Sequence, residues 1–293
     1  MRNFLILASA FVALVSCKQE KELSVDTSWE FDKVIQLEGV NPIGIAVDGN
    51  DMFLSDGDNN RVVKVDATGS ILFEYDGFER PMHIDFGEAA MQITDKVTTS
   101  MLKERALFVP EYGRDSIAVI RDNKRDYLVF KDSLDAPAAI SVFKNEIAIA
   151  DFYNHRILYY NGSSWLTIGK EGKEHGMFYY PTDVQITSGG IYVADAYNNR
   201  GQVFDKNGAF KAVFGEGEKM NAATGIYVGA GQIYLTDFEN KRVLVFSKDY
   251  TLKQELKTEV SKPTDVIIVG DKLLITDYAM GALVQYKIST VSK

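Results

Sequence analysis

The stretch PTDVQITSGGIYVADAYNNR, residues 181–200, contains the unit that decides the fold. Two short runs alternate β-branched or aromatic residues with small ones, and a Ser-Gly-Gly turn separates them. The second run ends on an acid, Asp195. Five further segments share this order, and their strand-ending acids are Asp56, Glu111, Asp151, Asp237 and Asp277. The six acids are 55, 40, 44, 42 and 40 residues apart, a period that with three short strands per unit predicts a β-propeller.

A fourth apolar segment follows the third strand of each of the first five units. These expected outer strands are Ile71–Tyr75, Tyr127–Phe130, Trp165–Ile168, Phe210–Phe214 and Leu252–Leu256. The last unit ends after its third strand, near Lys287, whereas Phe31–Leu37 has the same character and stands before the first unit. We therefore predict one all-β domain over residues 29–293. It is a six-bladed β-propeller of four-stranded antiparallel blades, closed by an N-terminal outer strand that removes the free edges.

The second unit carries an insertion, roughly residues 87–105, between its first two strands. Good helix formers such as Ala89, Met91 and Leu102 occur in it. We expect a short helix on the face opposite the Asn turns of the repeat, and a disordered loop is the alternative.

The repeated segments resemble the NHL repeat, whose consensus reads roughly Pro-x-Gly-Ile-Ala-Val-Asp, then Ile-Tyr-Val-Ala-Asp, then Asn-x-Arg-Val. Residues 42–48, 191–195 and 59–62 carry these three parts. The resemblance covers about residues 30–288, in five clear copies and one weaker copy. It implies a six-bladed propeller over nearly the whole mature chain.

Two enzyme families share this shape. Peptidyl-hydroxyglycine amidating lyases are similar in their six NHL-like blades and a Pro-Thr-Asp-Val segment, but their zinc-binding His residues directly follow the Pro. The residues at those positions here are Ile43, Met82, Ala138, Thr182, Thr224 and Thr264. Gluconolactonase-like propellers hold a metal with Glu, Asn and Asp at comparable places, and this sequence has no matching set. The sequence thus departs from the site pattern of both families.

The N-terminus resembles that of an exported bacterial lipoprotein. Residues 4–15 are an almost unbroken apolar run of twelve residues, too short to span a bilayer and typical of a signal peptide. The sequence LVSC at residues 14–17 resembles the lipobox, which implies that residues 1–16 are removed and Cys17 is diacylated. An ordinary secretory signal with a chance Cys is the alternative.

Residues 17–28 are polar and are expected to form a tether between the lipid and the propeller. Lys18, rather than an Asp, follows the Cys, which in lipoproteins of the enterobacterial type implies release to the outer membrane. The mixed Lys and Glu run is similar to surface-export signals of Bacteroidetes lipoproteins. The resemblance therefore implies a lipid anchor in the outer membrane, with the protein facing the periplasm or the cell exterior.

The composition excludes several classes of site. There are 32 Lys and Arg against 41 Asp and Glu, and the formal net charge is −9. Nucleic-acid affinity comes mostly from Lys and Arg, so no nucleic-acid partner is expected. Separately, the chain is expected to be a monomer. With three His and one Cys, a Cys-based zinc site and an internal disulfide are excluded. The sequence contains no Gly-x-Ser-x-Gly, P-loop or His-Glu-x-x-His motif.

The strand-ending acids are expected to be structural, because a residue used in every blade maintains the blade. An Arg follows the acid by five residues in four copies, at 56/61, 151/156, 195/200 and 237/242. We expect the acid to accept backbone N–H bonds in the turn that follows it. We expect the Arg to form a charge-assisted bond with the acid or with a neighbouring blade.

Functional residues should instead differ between the repeats. The loops that enter the first strands and leave the second strands lie at one end of a propeller, its mouth. The second residue after the Pro position is small in three units and polar in the other three. The small residues are Gly44, Ala139 and Gly225, and the polar residues are His83, Asp183 and Asp265. These three are candidate ligands of a divalent metal, Ca²⁺ or Zn²⁺, and the alternative is that each bonds the backbone of a neighbouring loop.

Aromatic residues occupy the same end of the propeller, in the loops after the second strands. They are Tyr112, Phe152, Tyr153, Tyr197, Phe238 and Tyr278, and the loop before residue 181 adds Phe178, Tyr179 and Tyr180. Exposed aromatic side chains suit sugars, peptides or a partner protein, and packing between blades is the alternative.

The expected function is a non-catalytic binding or scaffold module for a peptide, glycan or partner protein. A metal-dependent hydrolase or lyase that uses His83, Asp183 and Asp265 is the alternative. A purely structural component of the cell envelope is a third possibility.

Overall fold

The computed structural model describes residues 27–130, 132–229 and 231–289, and within them the chain forms twenty-six β-strands. In chain order they are β1 (Trp29–Gln36), β2 (Ile45–Asp48), β3 (Asp51–Asp56), β4 (Arg61–Val65), β5 (Ile71–Asp76), β6 (Asp85–Glu88), β7 (Met91–Thr94), β8 (Thr99–Leu102), β9 (Arg105–Glu111), β10 (Ser116–Arg121), β11 (Lys124–Leu128), β12 (Pro137–Phe143), β13 (Glu146–Asp151), β14 (Arg156–Tyr160), β15 (Trp165–Ile168), β16 (Pro181–Thr187), β17 (Gly190–Asp195), β18 (Arg200–Phe204), β19 (Phe210–Phe214), β20 (Ala223–Gly229), β21 (Gln232–Asp237), β22 (Arg242–Ser247), β23 (Leu252–Leu256), β24 (Pro263–Val269), β25 (Lys272–Asp277) and β26 (Ala282–Ile288). Single 3₁₀ turns cover Ala196–Asn198 and Glu216–Glu218. Among the described residues, no helix has the length and apolar content that crossing a membrane requires.

The strands form six antiparallel sheets, which are the blades of a β-propeller. Blade 1 is β2–β5, blade 2 is β6–β11, blade 3 is β12–β15, blade 4 is β16–β19, blade 5 is β20–β23, and blade 6 is β24–β26 with β1. Six apolar clusters fill the spaces between neighbouring blades. The predicted all-β, six-bladed fold is confirmed.

The first strand of each blade begins beside the end of its second strand. Pro181 lies opposite Asp195 in blade 4, and Pro263 lies opposite Asp277 in blade 6. The loops that enter the first strands therefore share one end of the propeller with the loops that leave the second strands. We call this end the mouth face.

The N-terminal strand closes the ring, as predicted. β1 pairs with β26 from Trp29 opposite Ile288 to Gln36 opposite Ala282. Trp29 is 3% exposed, and its indole Nε1 donates to Tyr234 Oη of blade 5 at 3.0 Å. Because Trp29 pairs near the end of β26, the chain enters the propeller at the end opposite the mouth face. The predicted signal peptide, Cys17 and most of the predicted tether lie outside the described residues.

The helix predicted in the insertion is wrong. Residues 91–102 form a β-hairpin, β7 and β8, which extends blade 2 at the outer strand β11. In Met91-Gln-Ile-Thr94 the side chains of Met91 and Ile93 are buried and that of Gln92 is exposed. This alternation of period two outweighs the helix propensity of the individual residues. The outer strand of blade 2 also begins earlier than predicted, at Lys124, and ends at Leu128.

The strand-ending acids hold the mouth ends of the blades together. Asp195, which is 0% exposed, accepts hydrogen bonds from Tyr179 N (2.8 Å), Asn198 Nδ2 (2.8 Å) and Arg200 Nε (3.0 Å). The structural role of the acid and the Arg is thus as expected. The backbone donor differs from the expectation, because Tyr179 lies in the loop before the first strand of the blade. Asp151 and Asp237 bond the residue sixteen positions earlier in the same way.

His155 belongs to the same scaffold and is buried, contrary to the surface position that its place in a repeat turn suggests. Its Nδ1 accepts from Tyr180 N at 3.0 Å. Asn60 and Asn199 occupy the equivalent turn positions, and their side-chain oxygens accept from Arg80 N and Ala222 N at 2.8 Å. All three turn residues have a positive φ, between 51° and 57°.

We expect His155→Asn to retain more stability than His155→Leu. Asn supplies the same kind of acceptor and tolerates a positive φ, whereas Leu leaves the Tyr180 N–H without a partner, at a cost of about 1–3 kcal/mol. Urea unfolding of both variants measures the difference. Equal stability of the two variants would contradict a role for the His155 acceptor.

Candidate functional site

The structure brings His83, Asp183 and Asp265 together on the propeller axis. His83 Nδ1 lies 3.5 Å from Asp265 Oδ2 and 3.8 Å from Asp183 Oδ2. One ligand atom from each residue fits within 4.8 Å of the others. The three residues are only 4%, 6% and 7% exposed. We call these three residues the axial triad.

The two carboxylates of the axial triad also bind the backbone of the next blade. Asp265 Oδ2 accepts from Ile45 N at 3.0 Å, and Asp183 Oδ2 accepts from Ile226 N at 2.7 Å. The alternative expectation, a bond to the backbone of a neighbouring blade, therefore holds for the two Asp residues, and metal binding stays a prediction. The imidazole differs, because within the described part of the chain His83 Nδ1 has no hydrogen-bond partner. Its contacts with the carboxylates exceed the length of an ordinary hydrogen bond.

The small residues Gly44, Ala139 and Gly225 alternate around the axis with the axial triad, because neighbouring blades pack closely where the triad lies. A Cβ added at Gly225 would lie 2.3 Å from Thr264 O, and one added at Gly44 would lie 2.7 Å from His83 Cα. Gly225 and Gly44 therefore each face the neighbouring blade. The three-fold pattern therefore gives room to the polar side chains of blades 2, 4 and 6.

Gly225→Ala is expected to destabilise the fold by about 1–3 kcal/mol, since the new methyl group overlaps backbone atoms that cannot move aside independently. Gly217→Ala is the matched control, because a Cβ there meets nothing within 4 Å. Thermal unfolding of the two variants tests this. An unchanged melting temperature for Gly225→Ala would mean that the first strands are not tightly packed at the axis.

The electrostatics of the axial triad are those of a buried, negatively biased site. Burial raises the pKa of Asp183 to about 7, although the nearby His83 opposes this shift. Burial lowers the pKa of His83, but the two carboxylates outweigh it, and its pKa is raised overall. Among the described residues, neither carboxylate has an ion pair with Lys or Arg. A cation would be stabilised here.

A second layer of polar residues on the first strands was missed from the sequence. Asp85 Oδ2 accepts from Val142 N at 2.7 Å, and Ser141 Oγ accepts from Ile186 N at 3.1 Å. Gln185 Oε1 accepts from the backbone N–H of Val228. Burial raises the pKa of Asp85 to about 7. The signal that could have found them is a polar residue four positions after the Pro, in an otherwise apolar strand.

The aromatic side chains of the mouth face join across blades 2 to 4. Successive ring centroids lie 4.7–6.0 Å apart. The residues of this aromatic arc are Tyr112, Phe152, Tyr153, Tyr179, Tyr180 and Tyr197. Tyr153 and Tyr197 are the most exposed residues of the arc, at 48% and 62%. Arg80 lies over the ring of Tyr112 at 4.9 Å and ends the arc with a positive charge.

Three of the expected aromatic residues do not join the arc. Phe178 is 0% exposed and packs in the core between blades 3 and 4. Phe238 lies under the Lys262 ammonium at 4.6 Å, and Tyr278 Oη donates to Asp58 Oδ2 at 2.8 Å. The mouth face is therefore asymmetric, with its aromatic surface on one side.

Comparison with known proteins shows the fold. No protein-family model and no curated protein matches the chain. Among solved structures, virginiamycin B lyase from Staphylococcus aureus is 13% identical, with a TM-score of 0.62 over 89% of this chain and 100% of the lyase. A streptogramin B lyase is 12% identical, with a TM-score of 0.64 over 92% of this chain and 100% of its own. A gluconolactonase from Xanthomonas campestris is 12% identical, with a TM-score of 0.64 over 90% of this chain and 100% of its own.

At these identities the likeness concerns the architecture alone. These three structures cover 89–92% of the chain at 12–13% identity. The chain is thus a six-bladed β-propeller whose structural neighbours include lyases and a gluconolactonase.

Proposed function

We propose that this chain is an exported lipoprotein whose mouth face binds a peptide, glycan or partner protein without catalysing a reaction. The observation that carries the proposal is the aromatic arc, a continuous aromatic surface on one side of the mouth face. An exposed and connected aromatic surface is a recurrent feature of binding sites, because each ring offers a flat apolar face and, in Tyr, a polar tip.

The arc is suited to binding because its rings support one another. Tyr180 touches Phe152 at 4.8 Å and Tyr197 at 5.0 Å between ring centroids. Rings held in this way lose little further freedom when a ligand stacks on them, so less conformational entropy opposes binding. Tyr153 and Tyr197, the most exposed members, are the expected stacking platforms.

The proposal includes the anchor implied by the N-terminal sequence. In this proposal the chain is an NHL-type propeller similar to those of exported Bacteroidetes lipoproteins. Residues 1–16 are removed, Cys17 is acylated, and a tether that ends near residue 28 attaches the propeller to the outer membrane. Since Thr27 enters the propeller opposite the mouth face, an anchor at Cys17 would present the aromatic arc away from the bilayer. The net charge of −9 supports a partner other than nucleic acid.

A binding screen tests the function. The full chain is applied to immobilised glycans and peptides, and bound protein is quantified for the wild type and for Tyr153→Ala/Tyr197→Ala. We expect the wild type to bind members of one class and the double variant to lose them. Wild-type binding to neither class would contradict the proposal of a peptide or glycan ligand.

A metal-dependent hydrolase or lyase is the second candidate, and the axial triad is the observation that favours it. Its imidazole and two carboxylates could hold a metal that polarises an ester or lactone carbonyl. One neighbouring structure is of a catalytically inactive virginiamycin B lyase in which a His is replaced by Ala, bound to quinupristin. The burial of the axial triad is the reason that this candidate ranks second.

Assays of quinupristin and gluconolactone turnover, with added Zn²⁺ or Ca²⁺, separate the two candidates. Turnover by the wild type that is lost in His83→Ala, a change at a residue outside the arc, would favour the enzyme. Absence of turnover with every metal, together with ligand binding in the screen, would favour the binding module.

A further inference from the structure

We propose that the axial triad binds one divalent transition-metal ion, with Zn²⁺ the best match, and that this ion joins blades 2, 4 and 6 at the propeller axis. The ion has a structural role, so the proposal is independent of what the mouth face binds. Its three ligands would be His83 Nδ1, a carboxylate oxygen of Asp183 and a carboxylate oxygen of Asp265.

The first argument is the buried nitrogen without a partner. His83 is 4% exposed, and its Nδ1 is aimed at two carboxylate oxygens with no hydrogen bond of its own among the described residues. A buried polar atom left unsatisfied is costly, so such an atom calls for a ligand. Imidazole nitrogen together with carboxylate oxygen favours Zn²⁺ and similar ions, whereas Ca²⁺ prefers six to eight oxygens.

The second argument is spacing. The nitrogen lies 3.5 Å and 3.8 Å from the two oxygens. A tetrahedral ion with bonds of about 2.1 Å separates its ligand atoms by roughly 3.4 Å. Small side-chain rotations are therefore enough to bring the three atoms to a common ion.

The third argument is charge and orientation. Two carboxylates share the site with one imidazole, and no Lys or Arg of the described chain pairs with either of them. Each carboxylate is fixed by the N–H of the next blade, from Ile45 or Ile226. Hydrogen bonds of this kind orient metal ligands, and the surplus of negative charge attracts a cation.

The structural role follows from the origin of the ligands. Asp183 and Asp265 lie in the first strands of blades 4 and 6, and His83 lies just before the first strand of blade 2, so one ion would connect residue 83 with residues 183 and 265. An ion bound by the folded chain and not by the unfolded chain raises stability in proportion to its occupancy.

The test begins with the wild-type full chain, whose metal content is measured by elemental mass spectrometry after purification. A chelator then removes the metal, and thermal unfolding is followed before and after addition of Zn²⁺ or Ca²⁺. We expect close to one equivalent of metal, a fall in melting temperature of at least about 5 °C on removal, and recovery with Zn²⁺ but not with Ca²⁺.

Two variants identify the ligands. Asp265→Asn keeps an acceptor for Ile45 N while it removes the ligand charge, so we expect it to fold and to lose the metal. His175→Ala is the control, because His175 is exposed, lies beside Glu216 and stacks on Phe210 of the outer strand β19. Absence of metal from the wild type, with no effect of chelator or Zn²⁺ on the melting temperature, would overturn the proposal. It would mean that a proton, rather than a metal ion, occupies the axial triad. Metal retained by Asp265→Asn, or lost from His175→Ala, would also overturn it.

Discussion

Asp195→Ala is expected to lower the free energy of unfolding by about 3–5 kcal/mol. The substitution removes an acceptor that Tyr179 N, Asn198 Nδ2 and Arg200 Nε share. It also leaves the guanidinium of Arg200, which is 3% exposed, without its buried partner. Urea unfolding of the variant measures the loss.

Asp271→Ala is the matched control for this prediction. Asp271 is an exposed acid in the turn between β24 and β25, and replacing it should change stability by no more than about 0.5 kcal/mol. Similar stability of the two variants would contradict the structural role of the strand-ending acids.

Trp29→Ala is expected to cost about 3–5 kcal/mol as well, because the indole is buried between blades 5 and 6 and closes the ring. The variant also loses the bond from Trp29 Nε1 to Tyr234 Oη. Unfolding of one edge strand would expose β26, so we expect aggregation to accompany the loss of stability.

Thermal unfolding with light scattering measures both effects. Phe73→Ala is the control, since Phe73 lies on the outer strand of blade 1 and is 44% exposed. A melting temperature of Trp29→Ala equal to that of Phe73→Ala would show that the N-terminal strand contributes little to closure.

Much of the fold could be predicted because the signal repeats. Strand-ending acids such as Asp195 and Asp237 give the period of the blades, and the unpaired third strand of the last unit predicts closure by β1. The insertion at 87–105 occurs once, so no other copy corrects the helix propensity of its residues. Met91 and Ile93 alternate with polar residues as in a strand, and this pattern leads to a strand because β7 pairs with β11.

The candidate site was predictable in part. The three-fold alternation of small and polar residues placed His83, Asp183 and Asp265 at one level of the axis. Their bonds to the next blade, and those of Asp85 and Ser141, depend on how closely neighbouring first strands approach, which the sequence of a single blade does not contain. The aromatic arc was likewise predicted as a set of residues, but its restriction to one side results from contacts between loops of different blades.

The most direct test of the proposed function is a comparison of dissociation constants for the tightest glycan or peptide found in the screen. Three forms of the chain are measured by calorimetry: the wild type, Tyr153→Ala/Tyr197→Ala, and Phe73→Ala, which removes an exposed aromatic ring outside the arc. Loss of two stacking platforms should weaken binding at least about tenfold, while Phe73→Ala should bind as the wild type does. Equal affinity of all three forms would contradict the claim that the aromatic arc is the binding surface.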